Sequence, residues 1–497
     1  MLMKKTTKER FAELAARGTI VPVYRELPGD METPVSVLSR FAQDPYAVLL
    51  ESVEGGENLG RFSFLGVNPY AIFSIEGKGA FLEAAGERRE LPYDGTNPLT
   101  ALRPLIGADH VAVDPELPPL PGGAIGFLSY EAAGFFEELP PPKGDSGVPA
   151  ALFLLTDEII AFDNRRHTIK VIVNVRPENF SSLDHAYAEA QRRIDLIAAK
   201  LLDPAPPRQM AFCTGRRTAA ELRPEITREA FLAMVEKAKH HIVEGDIIQV
   251  VPSQAFSAEC SIPPFDIYRA LRLVNPSPYM FYFKAGGEIL IGSSPETLVK
   301  LVNGVSEIRP IAGTRPRGRD AAEDRALEES LLADEKERAE HLMLVDLGRN
   351  DIGRTAEAGT VKVPEFMKVE RYSHVMHLVS RVTGQLRSDL DAFDLAAAAF
   401  PAGTLSGAPK IRAMEIIRDL EAAPRGVYGG AVGYFSYDGN MDLAITIRTL
   451  EVRDGRIKVQ AGAGIVADSV PESEYQETLN KARALFKAVE FAAGGLK

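Results

Sequence analysis

Cysteine is scarce. The 497 residues hold only Cys213 and Cys260, with no CxxC pair. A disulfide framework is therefore excluded, a reducing compartment fits, and a thiolate zinc site lacks its ligands. Long apolar runs are missing too. No stretch approaches the roughly 18 residues that cross a bilayer. The opening MLMKKTTKERFAELAARG is a charged helical pattern with neither the apolar core nor the cleavage site of a signal peptide. These absences predict a cytoplasmic chain with no membrane partner. Positive charge is in deficit, with a net charge of −12 and a pI near 5.4. An acidic surface repels phosphate backbones, so nucleic acid is not an expected partner.

What is present is ordinary globular composition, 45% hydrophobic. At roughly 100–200 residues per domain, the length predicts two or three domains. The stretch LLDPAPPRQ from Leu201 packs three prolines into four positions, which forbids helix and ladder alike. The boundary falls there: an N-terminal domain over 1–205, a linker over 206–224 and a C-terminal domain over 225–497. Four helical turns (Leu183 to Ala199) precede the linker, and a helix beginning near Thr227 follows it. ALFLLTDEIIAF and HTIKVIVNV flank Asp163-Asn164, and LAITIRTLEV and IKVQAGAG flank Asp454-Gly455. Such pairs read as hairpins, so the predicted class is α+β, with largely antiparallel sheets and helices outside. GGAIGFLSYE from Gly122 recurs as GGAVGYFSYD from Gly429 with six of ten positions identical. Either glycine-rich strand entries have converged, or a sheet unit is duplicated; the second is preferred.

Two segments carry carboxylates three residues apart. PESEYQETLNKA holds Glu474 and Glu477; DEKERAEHLMLVDLGRND holds Glu337 and Glu340. Both fall on predicted helices, the first with Ser469 and Glu472 as a capping box. A single pair of this kind is ordinary surface charge, and Glu477 with Lys481 reads that way. Two pairs facing one pocket would need a cation between them. Oxygen donors with few His and no Cys pairs favour magnesium. In DLAITIRTLEV, Arg448 stands among small residues, and a two-residue turn at Asp454-Gly455 would place it opposite Ala461, beside Gly462 and Gly464. Arg with accessible backbone N–H groups makes a carboxylate receptor. A sheet-edge Arg beside a glycine bulge is the plainer alternative. PIAGTRPRG from Pro310 and PAGTLSGAPK from Pro401 are glycine loops without the GxxxxGK[ST] spacing, which argues against a nucleotide.

Together these segments resemble the chorismate-utilising enzyme family, and within it the anthranilate synthase component I pattern. The resemblance spans nearly the whole chain. It rests on GDIIQVVPSQ, NPSPYMFYF, IGSSPE, RPIAGTRPRG, AEHLMLVDLGRNDIGR, MHLVSRVTG, FPAGTLSGAPK, GGAVGY, AITIRT, QAGAGIVADS and ESEYQET, in that order. It implies two closely associated parts and a magnesium-dependent conversion of chorismate and ammonia to anthranilate and pyruvate, opening tryptophan synthesis. Glu340 and Glu477 would be metal ligands, with Glu337 and Glu474 beside them. Arg448 and Tyr428 would hold the enolpyruvyl carboxylate with the N–H groups of Gly462, Ala463 and Gly464. Gly313, Thr314 and Thr404 would line the ring end. Glu296 would be the general acid for the departing hydroxyl, and His377 would serve pyruvate elimination.

Two positions choose among relatives. Water-adding members carry Lys where this chain has Gln249, and aminodeoxychorismate synthases usually carry Lys in place of Ala312, so both point to anthranilate formation. Neither cysteine lies in a glutaminase elbow, which implies a separate glutamine amidotransferase subunit. LLES resembles the family's feedback element. Glu51 and Ser52 would bind the amino group of L-tryptophan, and Pro278, Tyr279 and Met280 its side chain. The alternatives are an aminating relative that retains pyruvate and, remotely, an inactive ligand sensor.

Overall fold

The computed structural model describes residues 3–53, 60–93, 96–106, 111–203, 221–372 and 375–494. Residues 206–220 of the predicted linker, and Cys213, lie outside the described residues. The helices Leu183–Leu202 and Arg228–Val243 stand on either side, the second capped by Thr227, whose side chain accepts from the Ala230 N–H.

Two antiparallel sheets stack face to face. Among the described residues the first has eleven strands and the second twelve. Apolar side chains from both, including Val48, Phe64, Phe127, Phe283, Val432 and Tyr434, form the layer between them. Helices Leu183–Leu202, Pro264–Val274 and Pro471–Gly494 cover the outside of the first sheet, and helices such as Ala392–Ala399 and Lys410–Leu420 the outside of the second. The fold is α+β, as the hairpin pattern predicts. Strand Ala151–Thr156 is buried at every position because it lies between two neighbours and two covered faces.

Neither sheet belongs to one part of the chain. In the first, Tyr46–Glu51 pairs with Tyr279–Ala285; in the second, Gly123–Leu128 pairs with Ala431–Ser436. Those last two strands are the echoed segments, and they pair with each other. Gly126 faces Gly433, the equivalent position of the echo. Read outward from each seam, the strands of both parts come in the same chain order. The echo is thus the centre of a duplicated unit with a pseudo-two-fold axis through the Gly126/Gly433 pair.

The turns set which residues face the site. Arg453 pairs with Arg456, so Asp454-Gly455 is a two-residue turn with both φ angles positive, at 47° and 72°. The other hairpin closes on Tyr437-Asp438-Gly439, since the Ser436 N–H donates to Asn440 O at 2.8 Å. The turn is three residues long.

Candidate active site

The chain crosses from one sheet to the other at two neighbouring corners. Glu288–Ser294 lies in the first sheet and Thr297–Val302 in the second, with Glu296 at the corner between them. Met441–Ile445 lies in the second and Thr449–Arg453 in the first, with Arg448 at that corner. Gly292 pairs with Thr449 and Thr297 with Ala444, so the corners are adjacent. Arg448 is therefore not inside a strand opposite Ala461, as the alternation predicts. The ladder stops at Leu450/Val459, and Arg448 has a φ of +49°.

Burial pushes the Glu296 carboxyl up to about 7, against smaller opposing effects of the Thr404 hydroxyl and the Arg448 charge. Glu296 keeps some contact with the pocket space although protein surrounds it. The Thr404 hydroxyl is buried and meets no hydrogen-bond geometry; its influence on Glu296 is one of proximity. Among the described residues Arg448 makes no ion pair, and surrounding protein lowers its pKa although the residue as a whole is exposed. A desolvated carboxyl poised near neutrality beside an uncommitted guanidinium is an acid next to an anion receptor.

Strand Val375–Gln385 brings His377 opposite Thr314. His377 Nδ1 lies 2.9 Å from Gly313 O and 3.1 Å from Thr314 Oγ1. A carbonyl only accepts, so Nδ1 carries the proton and Nε2 is the basic nitrogen. Burial lowers the pKa of this imidazole. Gly313 has a φ of +68°, and a Cβ there would stand 3.2 Å from Glu337 Oε2, which ties the glycine loop to the first carboxylate pair.

At the far wall, strand Arg456–Gly462 ends in the glycine segment. A Cβ on Gly462 would come within 2.7 Å of the Tyr428 hydroxyl, and one on Gly464 within 2.7 Å of Gln249 Nε2. The Ala463 N–H is already spent on Pro252 O at 3.2 Å, so it is not an open donor as the resemblance implies. Tyr428 is buried, which raises its hydroxyl pKa.

Glu337 and Glu340 lie on helix Glu335–Gly353, and Glu474 and Glu477 on Pro471–Gly494. The predicted capping box is absent: Glu472 pairs with Arg228, and Ser469 Oγ accepts from the Val466 N–H. Burial raises the Glu340 carboxyl, and Glu337 and then Glu477 raise it further. Burial and Glu477 likewise raise Glu474. The two helices therefore face one another across a shared acidic space. Lys481 sits in it, 2.7 Å from Glu477 and 2.9 Å from Gly462 O. Among the described residues no group of three or more His, Cys, Asp or Glu stands close enough to hold a metal in this arrangement. The donor set itself, carboxylates destabilising one another across a gap, fits a hard divalent cation.

The remaining loop side chains are ion-paired. Arg315 binds Asp334 at 2.8 Å, Arg317 binds Asp324 at 2.6 Å, and Lys410 binds Asp351 at 2.7 Å inside the protein. Neither glycine loop offers cations to a phosphate.

Glu51, Ser52, Pro278, Tyr279 and Met280 line a single cavity between the sheets, together with Arg61, Lys300, Asp442 and Ala444. It is separate from the corner site, and neither Glu296 nor Arg448 lines it. Glu51 Oε1 accepts from Tyr268 Oη and from Arg272 Nε, both at 2.6 Å. The Ser52 hydroxyl is buried without a partner.

The chorismate binding enzyme family matches residues 46–487. The chain belongs to that family. Anthranilate synthase component 1 of Acetivibrio thermocellus is 49% identical over 484 residues, covering 96% of this chain and 97% of that one. The Pseudomonas putida protein of the same name is 45% identical over 490 residues, covering 98% of each. The crystal structure of anthranilate synthase component I from Streptococcus pneumoniae TIGR4 matches with a TM-score of 0.77 at 40% identity, covering 87% of this chain and 94% of that one.

Pattern reading of this chorismate-binding enzyme missed some residues. Lys300 interrupts the apolar run TLVKLV and pairs with Asp442 at 3.1 Å beside the cavity. Arg425, in PRGVYGG, is 1% exposed and lies beneath Tyr428, with its guanidinium 5.6 Å from the ring centre. A lone cation inside each apolar stretch was the available signal.

Proposed function

We propose that this enzyme converts chorismate and ammonia to anthranilate and pyruvate, with magnesium as cofactor. A glutamine amidotransferase subunit would supply the ammonia, and L-tryptophan would inhibit by feedback. The observation that carries the reading is Glu296, with its carboxyl near 7, at a sheet corner beside Arg448. Ammonia forms a C–N bond to the ring while the ring C–O bond to hydroxyl breaks. Glu296 gives the leaving oxygen its proton, so water departs. Arg448, Tyr428 and the Gly462 N–H hold the enolpyruvyl carboxylate. His377 Nε2 takes a proton from a ring carbon as that C–H bond and the ring C–O bond to the enolpyruvyl group break; the ring becomes aromatic, and the departing enolpyruvate gains a proton on carbon to become pyruvate. Magnesium, held by Glu340 and Glu477 with Glu337 and Glu474 beside them, would neutralise charge at the ring carboxylate. Its entry requires Lys481 to leave Glu477.

L-tryptophan would occupy the cavity lined by Glu51, Ser52, Pro278, Tyr279 and Met280. The buried Ser52 hydroxyl without a partner, and the Glu51 carboxylate in a space also lined by aromatic side chains, support this reading. The cavity is bounded by strands of both chain parts, so occupancy there is positioned to bias how they fit.

The isolated chain with chorismate, magnesium and ammonium is expected to produce fluorescent anthranilate, and EDTA to abolish the signal. Chorismate consumption without anthranilate would instead assign a pyruvate-retaining reaction. Saturating tryptophan that neither binds nor slows the reaction would remove the feedback proposal.

A further inference from the structure

Among the described residues the largest fully buried side chain is a charged one. Arg425 is 1% exposed, and its partner Glu421 is 8% exposed. Arg425 Nε and Nη2 donate to the Glu421 carboxylate, the shortest contact being 2.7 Å. The remaining donors do not stay within the pair. Nη1 donates to Leu405 O at 2.8 Å and Nη2 to Val251 O at 2.6 Å. Glu421 Oε1 in turn accepts from the Ser253 N–H and from Ser253 Oγ, both at 2.8 Å. Gln460 Nε2 donates to the same Ser253 Oγ at 2.8 Å.

These contacts converge on three segments that wall the candidate active site. Leu405 follows Thr404 in the turn Gly403–Ser406, which lies against Glu296. Val251 follows Gln249 and Val250, whose strand pairs with Gly407-Ala408. Ser253 pairs directly with Gly462, and Gln460 lies two residues before it. The guanidinium also lies 5.6 Å from the ring centre of Tyr428. Replacing a buried ion pair with apolar side chains is often neutral or stabilising, so stability gives little reason for this one. Its forked geometry does give a reason, because a planar guanidinium sets distances between partners that a point charge leaves free.

We infer that the Arg425–Glu421 pair is a positioning element for the reaction. It fixes the spacing between the Thr404 turn, Tyr428 and the Gly462 N–H, and hence the pocket for the enolpyruvyl carboxylate. The inference rests on the proposed function, and it concerns binding of chorismate rather than of ammonia.

The test is steady-state kinetics of the full chain with magnesium and ammonium, varying chorismate and ammonium separately. Glu421→Gln and Arg425→Lys are expected to raise the KM for chorismate about tenfold or more, since small misplacements of binding groups carry such penalties. The KM for ammonium should stay within about twofold, and Ser253→Ala should give a smaller shift in the same direction. A purely structural role would lower kcat through a smaller active fraction and leave both KM values unchanged; that result overturns the inference. If Arg425→Lys fails to fold, Glu421→Gln and Ser253→Ala decide by the same criterion. Wild-type protein without turnover overturns the functional reading, and this inference with it. Wild-type turnover with unchanged KM values in the variants overturns this inference alone.

Discussion

Glu296 acquires its chemistry from a corner. It sits between two strands that belong to different sheets, where the pocket wall is protein and the nearest cation is Arg448. Desolvation therefore dominates and holds the carboxyl near 7. In the proposed role of general acid it must be protonated, so kcat/KM, expressed per free ammonia, is expected to fall as pH rises through about 7. Glu296→Gln should cost about 100-fold or more in kcat and abolish that limb of the profile. The stability contribution has the same pH sense. A carboxyl with a raised folded pKa contributes stability below its unfolded value, and that contribution is lost as pH rises through the folded value. Above pH 7 the amide variant should thus melt at a higher temperature than wild type, and calorimetry at pH 8 checks it. Arg448→Ala removes the charge that favours ionised Glu296, so its alkaline limb should move upward. The same variant should raise the KM for chorismate by about tenfold, the loss of a charged hydrogen bond.

At the scale of elements, glycines near the site differ in what they protect. An added Cβ at Gly462 meets the Tyr428 hydroxyl at 2.7 Å and Pro252 O at 2.8 Å, one of them backbone. At Gly464 it meets only the tip of Gln249, at 2.7 Å. Gly462→Ala is expected to destabilise by about 1–3 kcal/mol, the ordinary cost of overpacking, and to weaken chorismate binding. Gly464→Ala should leave the melting temperature nearly unchanged. Differential scanning fluorimetry of the two variants separates these outcomes. Most elements were legible in the sequence because their signals are local: the Asp454-Gly455 turn, the Thr227 cap, and the helix from Pro471. Two features were not. Arg448 reads as a strand residue because DLAITIRTLEV alternates without a break, whereas sheet crossing is a tertiary event with no required breaker. The Arg425–Glu421 pair was the other, because burial of a charge depends on partners distant in sequence, such as Val251 and Ser253.

At the scale of the whole molecule, the echo in the sequence underreports the duplication. The recognised echo spans ten residues, yet every strand from Val21–Pro28 to Thr168–Val175 has a counterpart in chain order after residue 250. The echo survived where a side chain has no room. A Cβ on Gly126 would stand 2.0 Å from Leu152 O, and one on Gly433 2.0 Å from Asp442 O. At the corner where the second part has Glu296, the first part has Tyr70, whose hydroxyl lies 3.3 Å from that of Tyr437. Tyr437 also donates to Asp157 at 2.7 Å, and Arg176 pairs with Asp157 at 3.2 Å, so the corresponding space is filled by its own partners. The candidate site lies in one copy of the unit, and the other completes its sheets. Neither copy can then be a separate folding unit, because each would expose a long unpaired strand edge at both seams, Tyr46–Glu51 and Gly123–Leu128 in one and Tyr279–Ala285 and Ala431–Ser436 in the other. A protease site inserted within 206–220 tests this directly. After cleavage the fragments are expected to co-elute in size-exclusion chromatography, to keep activity, and to unfold in a single calorimetric transition. Two transitions, or separation of the fragments without denaturant, would show that the seams do not hold the molecule together.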